Sequence, residues 1–214
     1  MFEPISKMDL PNLLLLNGSF LLAGLVLLIL LQANNKKFYG LGFLGNQNTL
    51  PRPKNIPGRD RLLELEELAK KRGSGIEFND LIGAWKFQSV WKKDSDLEDS
   101  LSSTFLRIFS ASLELKGQTN HNLQKFEVIN SIAFGGLKIE FVASGELQGS
   151  QPLLSFFFQN ISLNLGEKVL LSRSLEIPDK RNRPFFALIS IDSRKKWLAA
   201  RGRAGGLAVW IKDN

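Results

Sequence analysis

Residues 83–91 read GAWKFQSVW: Trp85, Phe87, Ser89 and Trp91 fall on one side of an extended chain, and Lys86 and Gln88, followed by Lys92, on the other. Alternation with period two marks a half-buried β-strand. The pattern recurs along the chain. Phe105, Phe109, Ala111, Leu113 and Leu115 alternate with Ser110, Ser112 and Glu114, and Leu137, Ile139, Phe141 and Ala143 with Lys138, Glu140 and Ser144. Further strands are expected at 124–134, 153–163, 168–177, 185–191, 197–201 and 207–212. Gly135-Gly136, Gln148-Gly149-Ser150 and Ala204-Gly205-Gly206 stand where tight turns are needed. Eight or nine strands without crossover helices predict an all-β fold over residues 76–214, an antiparallel barrel that closes to hide its edges.

Upstream, residues 59–75 are expected to hold a short amphipathic helix from about Arg59 to Arg72, with Leu62, Leu65, Leu68 and Ala69 on one face. Its early acids and late bases match the helix dipole, and Gly73 offers a C-cap. Residues 32–58 form a basic linker rich in Pro and Gly, including PRPKNIPG. Before it, residues 13–31 read LLLLNGSFLLAGLVLLILL without a charge. As a helix this run spans about 28 Å, close to the hydrocarbon thickness of a bilayer, and predicts a transmembrane anchor behind a short flank of residues 1–12. A cleaved signal peptide is the rival reading, since residues 19–31 alone would suit its apolar region. Against it stand one Lys and two acids in the flank, and Leu31 where a small residue belongs before Ala33. Lys36, Lys37, Arg52, Lys54, Arg59 and Arg61 follow the run, against Lys7 before it, which predicts a single-pass protein with its C-terminal domain on the cytoplasmic or stromal side.

The formal net charge of +7 is spread unevenly: −1 over residues 1–35, +5 over 36–75 and +3 over 76–214. Bases beside a membrane attract anionic headgroups, so membrane lipids are expected partners. No module interleaves bases with exposed aromatics, so no nucleic-acid partner is expected. The chain has no Cys and a single His, His121, in the polar stretch GQTNHNL. It offers no triad, no Cys/His metal-ligand set and no phosphate-binding fingerprint, so no enzyme activity, metal or cofactor is expected.

Gly83 and Trp85 open the first strand, and Arg201 precedes the last hairpin. A Gly-x-Trp at a barrel mouth with a late Arg stacked on the indole would close one end through a cation–π contact. These residues sit in a longer set of motifs. A helix ends in Lys71-Arg72-Gly73; Leu81-Ile82-Gly83-Ala84-Trp85-Lys86-Phe87 opens the first strand; Phe126 to Ile132 carries a central Asn130; residues 197–210 read WLAARGRAGGLAVW. In this order, over residues 60–214, the chain resembles the plastid lipid-associated protein family, or fibrillins, of plastids and cyanobacteria. It departs at Gln88-Ser89, where the family has Tyr-Thr, at Ala199-Ala200, where an acidic pair is usual, and in its added anchor. The resemblance implies a lipocalin-like barrel that binds lipids or isoprenoid-type molecules at a photosynthetic membrane, thylakoid or plasma membrane, with no shared catalytic chemistry.

Phe87, Trp91, Phe109, Ile139 and Phe141 supply the aromatic and apolar lining expected of an apolar small-molecule site. Ser89, Arg107 and Asn130 interrupt otherwise apolar strand faces and are the candidate polar groups. The alternative is an accessory or assembly factor that docks a membrane protein complex through its barrel surface. Phe156-Phe157-Phe158 would then serve as contact patch, unless both faces of that strand are covered.

Overall fold

The computed structural model describes residues 56–99, 106–107, 110–120, 123–150, 152–192, 194 and 196–213. The expected flank 1–12, the apolar run 13–31 and most of the linker 32–58 lie outside the described residues, as do Phe109 and His121. Among the described residues, no helix is long and apolar enough to cross a membrane.

Two helices precede the sheet, α1 (Arg59–Arg72) and the short α2 (Phe78–Leu81). Nine strands follow: β1 (Gly83–Trp91), β2 (Ser112–Asn120), β3 (Leu123–Phe134), β4 (Leu137–Gln148), β5 (Leu153–Leu165), β6 (Lys168–Ser174), β7 (Phe185–Asp192), β8 (Trp197–Gly202) and β9 (Leu207–Lys212). The sequence-based strand positions hold, with one shift. The strand expected from Phe105 starts at Ser112; Leu106 and Arg107 instead form a helical turn that Ser110 closes onto the Arg107 carbonyl.

All pairings are antiparallel, in the order β4-β3-β2-β1-β9-β8-β7-β5-β6, and β4 also pairs with β5. The circuit therefore returns on itself. It is ring-like but not a regular barrel, because β5 shares one edge between two partners. Only Leu153–Ser155 pair with β7, while Asn160–Leu165 pair with β6. Strand β6 thus leaves the ring, and β3, β4, β5 and β6 project together beyond the ends of β7, β8 and β9.

Two apolar layers result. Inside the ring, Trp85, Phe87, Leu113, Phe126, Val128, Phe141, Phe156, Phe186, Leu188 and Trp210 are buried. Outside it, α1 lays Leu62 over Trp91, Ile189, Trp197, Ala199, Leu207 and Val209. That a strand can feed both layers is due to bulges. In β1, Phe87 pairs with Trp210 but Ser89 pairs with Val209, so Gln88 is an extra residue and the inward face changes from odd to even positions.

The interior is tight where β3, β4 and β5 meet. A Cβ on Gly145 would stand 2.8 Å from Val128 Cγ2 and 3.4 Å from Phe156 Cβ. Gly145→Val should therefore lower stability by about 1–3 kcal/mol, read as a fall in the urea midpoint without a change of slope.

Candidate functional site

One end of the ring is sealed. Helix α2 follows a capping box in which the Asp80 carboxylate accepts from the Glu77 backbone N–H at 2.9 Å. It sets Phe78 against Phe126, ring centroids 4.2 Å apart, and buries Leu81 completely. The Trp85 indole N–H donates to the Leu81 carbonyl at 2.8 Å. Gly83, at φ +131°, brings Lys212 close, and the Lys212 ammonium stands 5.2 Å from the Trp85 ring.

The expected Trp85–Arg201 stack does not form. Arg201 pairs with Leu207 and Leu207 with Trp91, whereas Trp85 pairs with Lys212. Arg201 is thus level with Trp91, six residues or roughly 20 Å along the strand direction from Trp85. It also points to the opposite face. There its guanidinium forms a two-pronged pair with Glu66 of α1, Nε to Oε1 at 2.5 Å and Nη2 to Oε2, and Nη1 donates to the Gly205 carbonyl at 2.5 Å. Glu66 is a functional carboxylate of the fold that periodicity alone missed; it stands four residues after Leu62 and three before Ala69, the buried positions of α1.

From the sealed end, an aromatic chain crosses the interior. Phe87, Trp210, Phe186, Phe156, Phe158 and Phe141 follow one another at centroid separations of 5.4–6.2 Å. Beyond Phe141 the same inward face continues onto the projecting strands. Asn130, Phe141, Ile161 and Arg173 are register partners across β3, β4, β5 and β6. The next inward row is Ile132, Ile139, Leu163 and Leu171, and the last is Phe134, Leu137 and Leu165, with Lys168 at its β6 end. The opposite face of these strands is polar: Lys138 pairs with Glu140, and Asn160 with Ser172 at 3.2 Å. Exposure grades along the apolar face, from buried Phe141 through half-buried Ile139 and Leu163 to exposed Phe134 and Leu171. It is an open apolar trough floored by aromatics.

The structure brings together four of the expected lining and polar residues and separates the others. Phe87, Asn130, Ile139 and Phe141 lie on the inward face. Ser89 and Trp91 do not, because the Gln88 bulge turns them outward into the layer beneath α1. There Ser89 Oγ is fully buried and has no hydrogen-bond partner among the described residues. Arg107 sits in the connection between β1 and β2, not on a strand face. Phe156-Phe157-Phe158 is no exposed patch: Phe156 is buried inside, and Phe157 faces outward beneath the Arg183 guanidinium, 4.5 Å from its ring centroid. Leu163, Leu171 and Arg173 were missed as site residues, since only register places them beside Phe141.

Among the described residues, no group of three or more His, Asp or Glu side chains is placed to hold a metal ion. Comparison with known proteins finds no matching family model, no matching curated protein and no matching solved structure. The likeness to plastid lipid-associated proteins stays a likeness of motifs.

Proposed function

We propose that this chain is a membrane-anchored binding protein for an apolar small molecule, a lipid or isoprenoid-type compound, held in a lipocalin-like manner in the mouth of the strand ring. The observation that carries this reading is the unbroken inward apolar face from Phe141 and Phe158 to Phe134 and Leu171, open at one end and closed at the other by α2 and Trp85. Contiguous exposed apolar surface on a folded domain marks a binding site. Asn130 and Arg173 flank the Phe141–Ile161 pair in the same row. They supply a hydrogen-bonding group and a cation for the polar head of an amphipathic ligand, while Ile132, Ile139, Ile161 and Leu163 take its tail. The membrane anchor is residues 13–31, and the motif resemblance points to a photosynthetic membrane.

Titration of residues 47–214, which form one compact unit, with a fluorescent fatty acid tests the reading through energy transfer from the tryptophans. Saturable one-to-one binding is expected. Ile139→Asp should weaken it by at least about tenfold, the worth of an apolar side chain's contact with a ligand tail. Linear, non-saturating uptake, unchanged in the variant, would leave the docking of a membrane protein complex as the remaining role for this face.

A further inference from the structure

We infer that the joined tips of the β3–β4 and β5–β6 hairpins are a docking surface for an anionic lipid bilayer, so that the apolar trough opens directly onto the membrane. The Gly166 N–H donates to the Gly136 carbonyl at 2.8 Å, which clips the two turns into one projection. Large apolar side chains stand in water there: Phe134 is 58% exposed, Leu165 50%, Val169 57% and Leu171 63%. Leu165 and Leu171 belong to the inward face, but Val169 pairs with Asn164 and belongs to the outward one. The end of the projection carries large apolar side chains on both faces, with Lys138 and Asn164 beside Val169 on the outward one and Lys168 beside Leu165 on the inward one, which suits immersion of the end in a medium with an ionic boundary.

Two further observations name the medium. Lys168 and Arg173 stand on β6 itself, against Glu167, while Lys180, Arg181, Arg183 and Arg203 lie at the foot of the projection, against Glu176 and Asp179; there Arg183 covers Phe157, and Arg203 ties the 175–184 loop in place by donating to the Arg181 and Arg183 carbonyls. Cations around apolar side chains complement anionic headgroups over an acyl layer. The first described residues also lie at this end. Arg59 pairs at 2.8 Å with Asp96 in the β1–β2 connection, which leaves the ring on the same side as the two clipped turns. Residues 32–55 join that point to the apolar run 13–31 in the sequence. The inference rests on the anchor reading of the proposed function but not on ligand binding.

The chain has no Cys, so a single introduced thiol reports one position. Full-length Leu165→Cys and Gln148→Cys, the second at the sealed end, are labelled with an environment-sensitive dye and reconstituted into phosphatidylcholine vesicles with phosphatidylglycerol. The Leu165→Cys label should shift to the blue and be quenched by doxyl lipids, whereas the Gln148→Cys label stays aqueous. Adding Phe134→Asp should abolish the quenching, and each base removed should lower the docked fraction ratio about fivefold. Equal aqueous quenching at both positions would overturn the inference. So would a Leu165→Cys label that is aqueous in vesicles yet shielded in native membranes, which assigns the tip to a protein partner. Fatty-acid titration of the same variants separates the two ideas: binding without docking overturns this inference alone, and docking without binding overturns the proposed function alone.

Discussion

Glu66→Ala is expected to be the most damaging polar substitution in the protein, lowering stability by about 3–5 kcal/mol. The Glu66 side chain is only 5% exposed and that of Arg201 27%. The pair is a two-pronged charged bond between α1 and β8, and it lies beside Leu62 and Ala69, which the helix buries. Removing the carboxylate leaves a guanidinium held under the helix with the Gly205 carbonyl as its remaining hydrogen-bond partner among the described residues, while Lys70 keeps its own pair with Glu67 at 2.8 Å. The cost is that of an uncompensated charge, not the net worth of the pair. Glu66→Leu combined with Arg201→Met should therefore recover most of the loss, because well-packed apolar side chains often replace a buried ion pair without penalty. Urea unfolding of the two single variants and the double variant reads this. A loss below about 1 kcal/mol in Glu66→Ala, the range of surface pairs, would show that the helix does not depend on it.

Trp85→Ala should cost a similar amount, about 3–5 kcal/mol, by a different route. The indole is 1% exposed at the sealed end of the ring, and its N–H is the donor to the Leu81 carbonyl. Truncation opens a cavity beneath α2 and strands that carbonyl. Since Lys212, not Arg201, lies over the ring, Lys212→Ala should cost only about 0.5–1 kcal/mol and couple to Trp85→Ala in a double-mutant cycle. Trp85→Ala and Arg201→Ala should instead add, being far apart with no shared partner. Coupling in the second cycle and additivity in the first would contradict the register.

These two sites show where the sequence is readable and where it is not. Alternation of apolar and polar residues placed the strands, because a half-buried strand cannot avoid period two. The same alternation misplaced Ser89 and Trp91. A bulge at Gln88 is set by how β1 pairs with β9, and no residue of GAWKFQSVW announces it. The Trp85–Arg201 stack failed for a related reason: a motif gives the order of residues, while height along a barrel wall depends on register across two strands. Glu66 counted in the sequence only as one of the early acids that match the helix dipole. Its spacing from Leu62 and Ala69 put it on the buried stripe, and a charge there requires a partner. Helix α2 was too short for periodicity, though Glu77 and Asp80 carry its capping box.

The site was half legible. Phe87, Asn130, Ile139 and Phe141 could be named because they interrupt or anchor apolar strand faces. Arg173 and Leu171 could not, since SRSL and VLLS give no sign that β6 leaves the ring and carries the trough outward. That departure follows from β5, whose thirteen residues exceed what β7 can pair.

The central claim is that the trough, and not the layer under α1, takes an apolar ligand. Methyl NMR of residues 47–214 titrated with a fatty acid tests it most directly. Saturable shifts are expected at Ile132, Ile139, Ile161 and Leu163, with Ile189, Leu62 and Leu207 unmoved. Shifts centred on Leu62, Ile189 and Leu207, or no saturable shift at any methyl, would contradict it.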